Sequence, residues 1–369
     1  MTHLTLFFTR GISLQTWAQN GSLEREVALY LQLQQKGVKV SFVTYGNQRD
    51  LHYQDSLQGI EILYNRWNLP MVLYETLIPF LHANVLRQTD VIKSNQTNGA
   101  DVALRAARIW RKPMIARCGY MWSEFAEKQG DPGRLTHARN IERNVFTRSQ
   151  KIVVTTPEMK RFIVESYAVV PEKIQLTPNY VLTDVFSPSL EKKTSGRLCF
   201  IGRLEEQKNL LALIQACSGL DVELIFIGEG QLRTALEEKA RECGVALSMP
   251  GNMPHHQLPG YISQAELFTL VSLYEGHPKS LLEAMSCGAA VIGSDSPGIR
   301  EQITHGKTGW LVGTDPESIR AGIRHLLANP SLREELGRNA RRFVLENYSL
   351  DTIVEQEFSL IQNTIGAHR

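Results

Sequence analysis

The sequence predicts an α/β protein of two domains, each a parallel β-sheet with helices on both faces. Three observations lead there. The chain has 369 residues, more than one hydrophobic core usually organises. Apolar residues make up 43% of it, enough for two cores. Short β-rich runs alternate with amphipathic segments of about 10–14 residues, the pattern of βαβ units whose strands are buried on both faces.

In the first half "LTLFFTR" reads as a strand and "GSLEREVALYLQLQQKG" as an amphipathic helix that ends at Gly37. "KVSFVTYG" is the second strand, and "DVIKSN", "PMIARCG" and "KIVVTT" continue the series. Proline, serine and threonine then crowd "LTPNYVLTDVFSPSLEKKTSG" (176–196), which marks a linker. In the second half the strands are "RLCFIG", "VELIFIG", "LFTLVS", "AAVIGS" and "GWLV". Between them lie "NLLALIQACSG", "QLRTALEEKARECG" and "DPESIRAGIRHLLANP", all of helical pattern. The expected division is 1–182, 183–348 and a final segment 349–369 that crosses back to the first domain.

Composition narrows the class. No uncharged apolar run reaches the roughly 20 residues of a membrane span. The most apolar stretch, "LPMVLYETLIPFLHANVL" (69–86), is broken by Glu75, Pro79, His82 and Asn84. "MTHLTLFFTRG" has no basic region and no cleavage site, and reads as a strand rather than a signal peptide. Five cysteines without a CxxC fit reduced thiols, hence a cytoplasmic protein. Net charge is +2, but residues 1–185 carry 22 Lys+Arg against 16 Asp+Glu, whereas 186–369 carry 18 against 22. The two halves are built to meet different partners. Near-neutral charge and the absence of a recognition motif speak against nucleic acid.

The chemistry concentrates in "YEGHPKSLLEAMSCGAAVIGSD" (274–295). A buried strand ends at Ser272, and Glu275 stands in the loop beyond its carboxyl end, the edge at which open α/β sheets bind ligands. Gly276, His277 and Pro278 form a turn, Lys279 follows it, and Ser280 lies near the N-cap of a helix. Backbone N–H groups of Ser280, Leu281 and Leu282 then present the positive end of the helix to an anion, a phosphate above all. Glu283 sits close to the same edge, where a carboxylate can accept both hydroxyls of a ribose. In "GRLEEQKN" (202–209), Gly202 ends the domain's first strand and Arg203 and Lys208 point at the same crevice, able to neutralise a diphosphate. Ribose, phosphates and a third moiety near Glu275 outline a sugar nucleotide.

From about Gly196 to Tyr348 these segments, with "FIGRLEEQKNLLALIQA", "IFIGEGQLRTALEEKA" and "LGRNARRFVLENYS", resemble the retaining, nucleotide-sugar-dependent glycosyltransferases of the GT-B fold, the group 1 family. The resemblance implies two Rossmann-like domains facing each other across a cleft. It implies that Arg203 and Lys208 hold the diphosphate of a nucleotide-diphosphate sugar donor, Glu283 its ribose, and the backbone of "PGNMP" (250–254, with Met253) its base. Glu275, with backbone from His277 to Leu281, would face the donor sugar. Arg203, Lys208 and Glu275 are thus the expected catalytic residues. The leaving diphosphate would assist the acceptor, with retention, and UDP is favoured over GDP only as the commoner base. No Asp-x-Asp occurs, and neither a metal nor another cofactor is expected; adjacent His255 and His256 do not converge as ligands do.

The first half departs from the family's pattern. In its first loop, "TRGISLQTWAQNGSLERE", Asn20-Gly21 replaces the commoner double glycine, with Gly21 opening a helix toward a phosphate. Histidines common in relatives are absent from "KSNQTNG" and "ARCGYMW", where Lys93, Asn95, Arg117 and Tyr120 stand instead. Arg105, Arg108, Arg111 and Lys112 recur at helical spacing beside Trp110, and Arg134, Arg139, Arg143 and Arg148 repeat the theme. Such a face can lie on an anionic membrane, at the inner surface for a cytoplasmic protein. The sequence leaves the acceptor unnamed. Two rival readings stay open: a phosphorylase or epimerase of the same fold, and a non-catalytic sugar-nucleotide-binding subunit.

Overall fold

The structure, a computed structural model, describes residues 2–189 and 193–368. The first sheet contains β1 (Thr2–Phe7), β2 (Val38–Val43), β3 (Glu61–Leu63), β4 (Val91–Ser94), β5 (Met114–Cys118), β6 (Lys151–Val154) and β7 (Ile174–Leu176). The second contains β8 (Arg197–Ile201), β9 (Glu223–Ile227), β10 (Ala246–Gly251), β11 (Leu267–Leu270), β12 (Ala290–Ser294) and β13 (Trp310–Val312). The spatial orders are β3-β2-β1-β4-β5-β6-β7 and β10-β9-β8-β11-β12-β13. Every pairing is parallel, from Thr2 opposite Val38 to Ile292 opposite Trp310. Both sheets are therefore doubly wound, as the α/β reading requires. Each reverses its winding once, between β1 and β4 in the first and between β8 and β11 in the second. At such a reversal the loops leave in opposite directions and open a crevice at the carboxyl edge.

The chain forms two compact units, one reaching Pro178 and resuming at Ile353, the other running from Asn179 to Thr352. Within the first, Leu4, Phe42, Ile92, Ile115 and Val153 are wholly buried, consistent with strands covered on both faces. Within the second, Phe200, Phe226 and Phe268 stand on neighbouring strands, with the first two rings 5.6 Å apart and edge-on. Several helices begin with one device, a capping Asp or Thr before a proline. In Asp131-Pro132, Thr156-Pro157 and Asp315-Pro316, the side chain accepts a backbone N–H three residues on, at 2.9, 3.2 and 2.9 Å.

The last helix, Leu350–Gly366, belongs from Ile353 onward to the first unit. An ion pair fixes it there. The Lys93 ammonium, on β4 and wholly buried, meets the Glu357 carboxylate at 2.6 Å. Burial pulls the lysine's pKa below its usual value, and Glu357 opposes that pull.

Candidate active site

The loops that follow β8 and β11 flank the reversal of the second sheet. Gly202 directly follows β8 and donates its N–H to Ile227 O at 2.9 Å. Backbone closeness here depends on glycine: a Cβ on Gly228 would lie 2.0 Å from the Gly202 oxygen, and one on Gly230 would lie 2.3 Å from the Leu204 oxygen. The "GEG" after β9 is thus pressed onto the "GRL" after β8, which fixes where the next residues go.

Those residues separate the two expected cations. Arg203 is 66% exposed and pairs with Glu205 at 3.0 Å. One short 3-10 turn, Glu206–Lys208, then brings Lys208 back over the sheet edge. Its ammonium meets the Glu275 carboxylate at 2.6 Å, with the two side chains only 11% and 8% exposed. Ser272 Oγ donates to the same Glu275 oxygen at 2.7 Å, and Gln207 Nε2 donates to the Tyr274 carbonyl at 2.7 Å. The Leu273 N–H donates in return to Gln207 O at 2.8 Å. The loop after β12 backs this arrangement: Glu275 N–H donates to Pro297 O at 2.9 Å. Gly298 has φ +83°, and a Cβ there would meet Glu275 O at 2.3 Å. Glu275 and Lys208 are therefore held by three strand-end loops at the sheet's reversal.

The helix after the turn is Lys279–Ser286, and its N-cap is Pro278, not Ser280. Pro278 is extended, with φ −71° and ψ 108°, one step before the helix, and with no side-chain oxygen it leaves the first-turn N–H groups without a side-chain cap. The anion-binding set shifts by one residue. Leu282 N–H already donates to Pro278 O at 3.4 Å, so Ser280 and Leu281 carry first-turn N–H groups that no helical carbonyl takes. The Leu281 and Leu282 side chains are wholly buried in the core, so neither offers a side chain to a ligand.

Glu283 lies in the second turn, 2% exposed, and its Oε1 is 2.9 Å from His255 Nε2. His255 is itself buried beside the Phe186 ring at 4.8 Å, and its Nδ1 has no hydrogen-bond partner in the protein. The histidine doublet thus supplies an orienting partner for Glu283. His277 is buried against Tyr348 at 5.6 Å, and its carbonyl accepts from Asn179 Nδ2 at 2.9 Å, tying the Gly276-His277-Pro278 turn down. Met253, beyond β10, is packed partly against the core near Tyr261. Lys279 is half-exposed at the head of the helix. Among the described residues, no three His, Cys, Asp or Glu are placed to hold a metal ion.

Gly21 belongs to the other unit. It has φ +66° and lies in the turn between the helices Leu14–Gln19 and Leu23–Gln35, two residues before the second begins. The helix does not open at Gly21 because Gly21 N–H donates to Ala18 O at 3.0 Å, closing the preceding helix instead. Gln207, Ser272, His255 and Gly298 went unassigned in the sequence. Only the glycine-rich strand ends signalled the close loop packing.

Residues 183–343 match the model for glycosyl transferases group 1, and residues 27–185 match that for Glycosyltransferase Family 4. The chain belongs to the group 1 glycosyltransferases of GT-B fold. Among its relatives is the MMP alpha-(1->4)-mannosyltransferase of Mycolicibacterium hassiacum, 25% identical over 73% of this chain and 64% of the relative. The chain spans less than two thirds of the length of the first curated relatives that it matches, between 62% and 65%. Sucrose-phosphate synthase from Thermosynechococcus elongatus has the same fold, with TM-score 0.82 at 17% identity and full coverage of both chains. Anabaena HepE, solved with UDP and glucose, superposes with TM-score 0.77 at 15% identity, covering 98% of this chain and 100% of its own.

Proposed function

We propose that this protein is a retaining glycosyltransferase that moves a sugar from a nucleotide-diphosphate sugar to an acceptor hydroxyl, without a metal. The observation that carries the reading is the Lys208–Glu275 ion pair at the reversal of the second sheet, beside the head of the helix Lys279–Ser286. A cation and a carboxylate in one crevice suit a donor that is anionic at its leaving group and becomes cationic at the sugar.

The roles follow from charge. Lys208 and Arg203, with the N–H groups of Ser280 and Leu281, receive the diphosphate. Lys208 then exchanges Glu275 for a phosphate oxygen, and the carboxylate turns to the transferred sugar. Positive charge develops on that sugar as the bond to the diphosphate breaks, and Glu275 stabilises it more in the transition state than in the ground state. Glu283, oriented by His255, takes the ribose, and the backbone around Met253 takes the base. Fixed cations and a helix terminus do the work that a divalent ion does elsewhere. UDP is the first base to test, since HepE was solved with it.

A thermal-shift series with UDP, GDP, ADP and TDP selects the base, and turnover with the matching donors follows. Glu275→Gln should lower the turnover number and leave nucleotide affinity within a few-fold, and Glu283→Gln should mainly weaken donor binding. The reverse split shows the pair to be assigned backwards. Activity should persist in EDTA; a loss that Mg²⁺ or Mn²⁺ restores overturns the metal-free mechanism.

A further inference from the structure

The most apolar stretch of the sequence forms an exposed helix, Met71–Leu81. Tyr74 and Ile78 anchor it to the core, while Val72 is 78% exposed, Phe80 59%, Leu73 45% and Met71 42%. Val72, Thr76 and Phe80 follow at i, i+4 and i+8, with Leu73 and Leu77 alongside, so one face about three turns long carries no charge. An apolar stripe of this kind on an otherwise folded unit calls for a covering surface.

Its surroundings say which surface. The helix packs on Ala100–Ile109, which packs in turn on Pro132–Arg148. Each of the three helices carries one acid, and each acid is already engaged. Glu75 and Asp101 are both held by Arg10, at 2.9 and 2.8 Å. Glu142 is wholly buried, accepting from Ser123 N–H at 2.9 Å and Tyr167 OH at 2.5 Å. The cations are engaged less fully: Arg139 pairs with Glu127 at 3.3 Å on exposed side chains, and Arg105 donates to the Glu75 carbonyl at 3.3 Å without meeting a carboxylate among the described residues. Arg105 and Arg108, one turn apart, line a groove of about 600 Å³ together with Asp101, Leu104, Ile109 and Asn144. At the far end of the apolar helix, Arg66 lies over Trp67 at 4.3 Å and Arg87 over Trp110 at 4.6 Å. Trp110 donates to Pro79 O at 2.8 Å, and Trp67 lies tilted against His82 at 5.8 Å, so both indoles stand at the end of the helix that carries Phe80.

We infer that Met71–Leu81 lies in the headgroup region of an anionic phospholipid bilayer, with Val72, Leu73 and Phe80 inserted and Arg105 and Arg108 on lipid phosphate. Apolar side chains flanked by tryptophan and arginine match the layered polarity of a bilayer interface. A protein partner with an apolar groove has no need of Arg66, Arg87, Arg105 and Arg108 around it, none of which is held by a carboxylate among the described residues. At 11 residues the helix is too short to span, and no described helix is long and apolar enough to cross a membrane. The inference stands independently of the donor chemistry.

The test is co-sedimentation of the full chain with vesicles of phosphatidylcholine alone or mixed with phosphatidylglycerol, at low and high salt. Binding is expected on the anionic vesicles and should fall with salt. Val72→Gln/Phe80→Gln, both on solvent-exposed side chains, should weaken it at least about tenfold without changing the melting temperature. Arg105→Gln/Arg108→Gln should remove most of the preference for anionic lipid. The inference is overturned if the parent binds neither vesicle at low salt, or if the apolar double variant binds like the parent. It is equally overturned if sedimentation shows the parent to dimerise through this face and Phe80→Gln abolishes the dimer. UDP binding, measured alongside, reports on the donor site separately.

Discussion

The two units are built alike and use charge in opposite ways. Both sheets are wholly parallel and reverse once, yet in the second unit the ionic groups gather at the strand ends, with Lys208 and Glu275 in contact at the reversal. In the first unit Arg10, just beyond β1, clasps two helices through Glu75 and Asp101, Arg105 and Arg108 lie on an outer helix face, and the most deeply buried ion pair among the described residues, Lys93–Glu357, anchors a helix. The lesson is that a doubly wound sheet supplies a crevice but does not decide what occupies it. Side chains on three loops converge on one crevice, the proposed donor site, while the first unit keeps its charge for surfaces and for its own cohesion.

The sharpest way to break this comparison is Glu357→Ala. It leaves the Lys93 ammonium buried without its partner, so the first unit should lose roughly 3–5 kcal/mol. Denaturation followed by the fluorescence of Trp17, Trp67, Trp110 and Trp122, all in the first unit, reads it. The double replacement Lys93→Met/Glu357→Leu should recover most of the loss, because it removes both charges. A single-variant loss below about 1 kcal/mol would mean that the pair does not hold the helix.

Acid is the next lever. Burial holds the His82 pKa down at about 4, with Arg66 adding to the effect. The unfolded chain binds the proton near the ordinary value of about 6.5, so it takes up more protons in between. Stability is therefore full above pH 6.5 and declines as pH falls to about 4, by on the order of 3 kcal/mol. His82→Phe should flatten that slope in urea titrations at several pH values. An unchanged slope would place the acid sensitivity elsewhere.

Within the second unit, Lys208→Ala should weaken nucleoside-diphosphate binding by roughly 1.5–3 kcal/mol, the worth of a charge-assisted contact. Calorimetry that finds parent-like affinity removes Lys208 from the phosphate site. Smallest is the stability effect of Arg203→Ala. Its side chain is mostly in solvent, so unfolding should change by no more than about 0.5 kcal/mol, although diphosphate affinity falls. Affinity moving without stability at Arg203, against stability moving alone at Glu357, is what the comparison demands.

The sequence displayed the inner strands plainly, since β1, β2, β4, β5, β6, β8, β9, β11 and β12 are short, largely apolar runs, and most of their side chains are buried. It hid β3, β7 and β10, which are edge strands. β3 and β7 are three residues long, and β10 alternates exposed and half-buried positions, so none makes a continuous apolar run. At the site, the residue types and the shared edge were legible because strand ends of a parallel sheet lie together. The pairings were not. That Lys208 bonds Glu275, and that His255 bonds Glu283, depends on loop backbone that close glycine packing sets. No spacing rule reports that. Likewise the stretch 69–86 was legible as too interrupted to span a membrane, but its one-sided exposure depends on Tyr74 and Ile78 finding the core.

The Lys93–Glu357 pair joins residues 264 positions apart, and that distance sets an order of events during synthesis. The chain leaves the first unit at Pro178, completes the whole second unit, and only then returns at Ile353. A ribosome making this protein therefore exposes the first sheet long before the helix that neutralises its buried lysine exists. Until then β4 holds an ammonium with no carboxylate to meet it. The second unit, whose residues all lie between Asn179 and Thr352, needs no such later segment. The unit translated first is the one finished last, and a truncation before Glu357 would strip its clasp while leaving the residues of the proposed donor site in place.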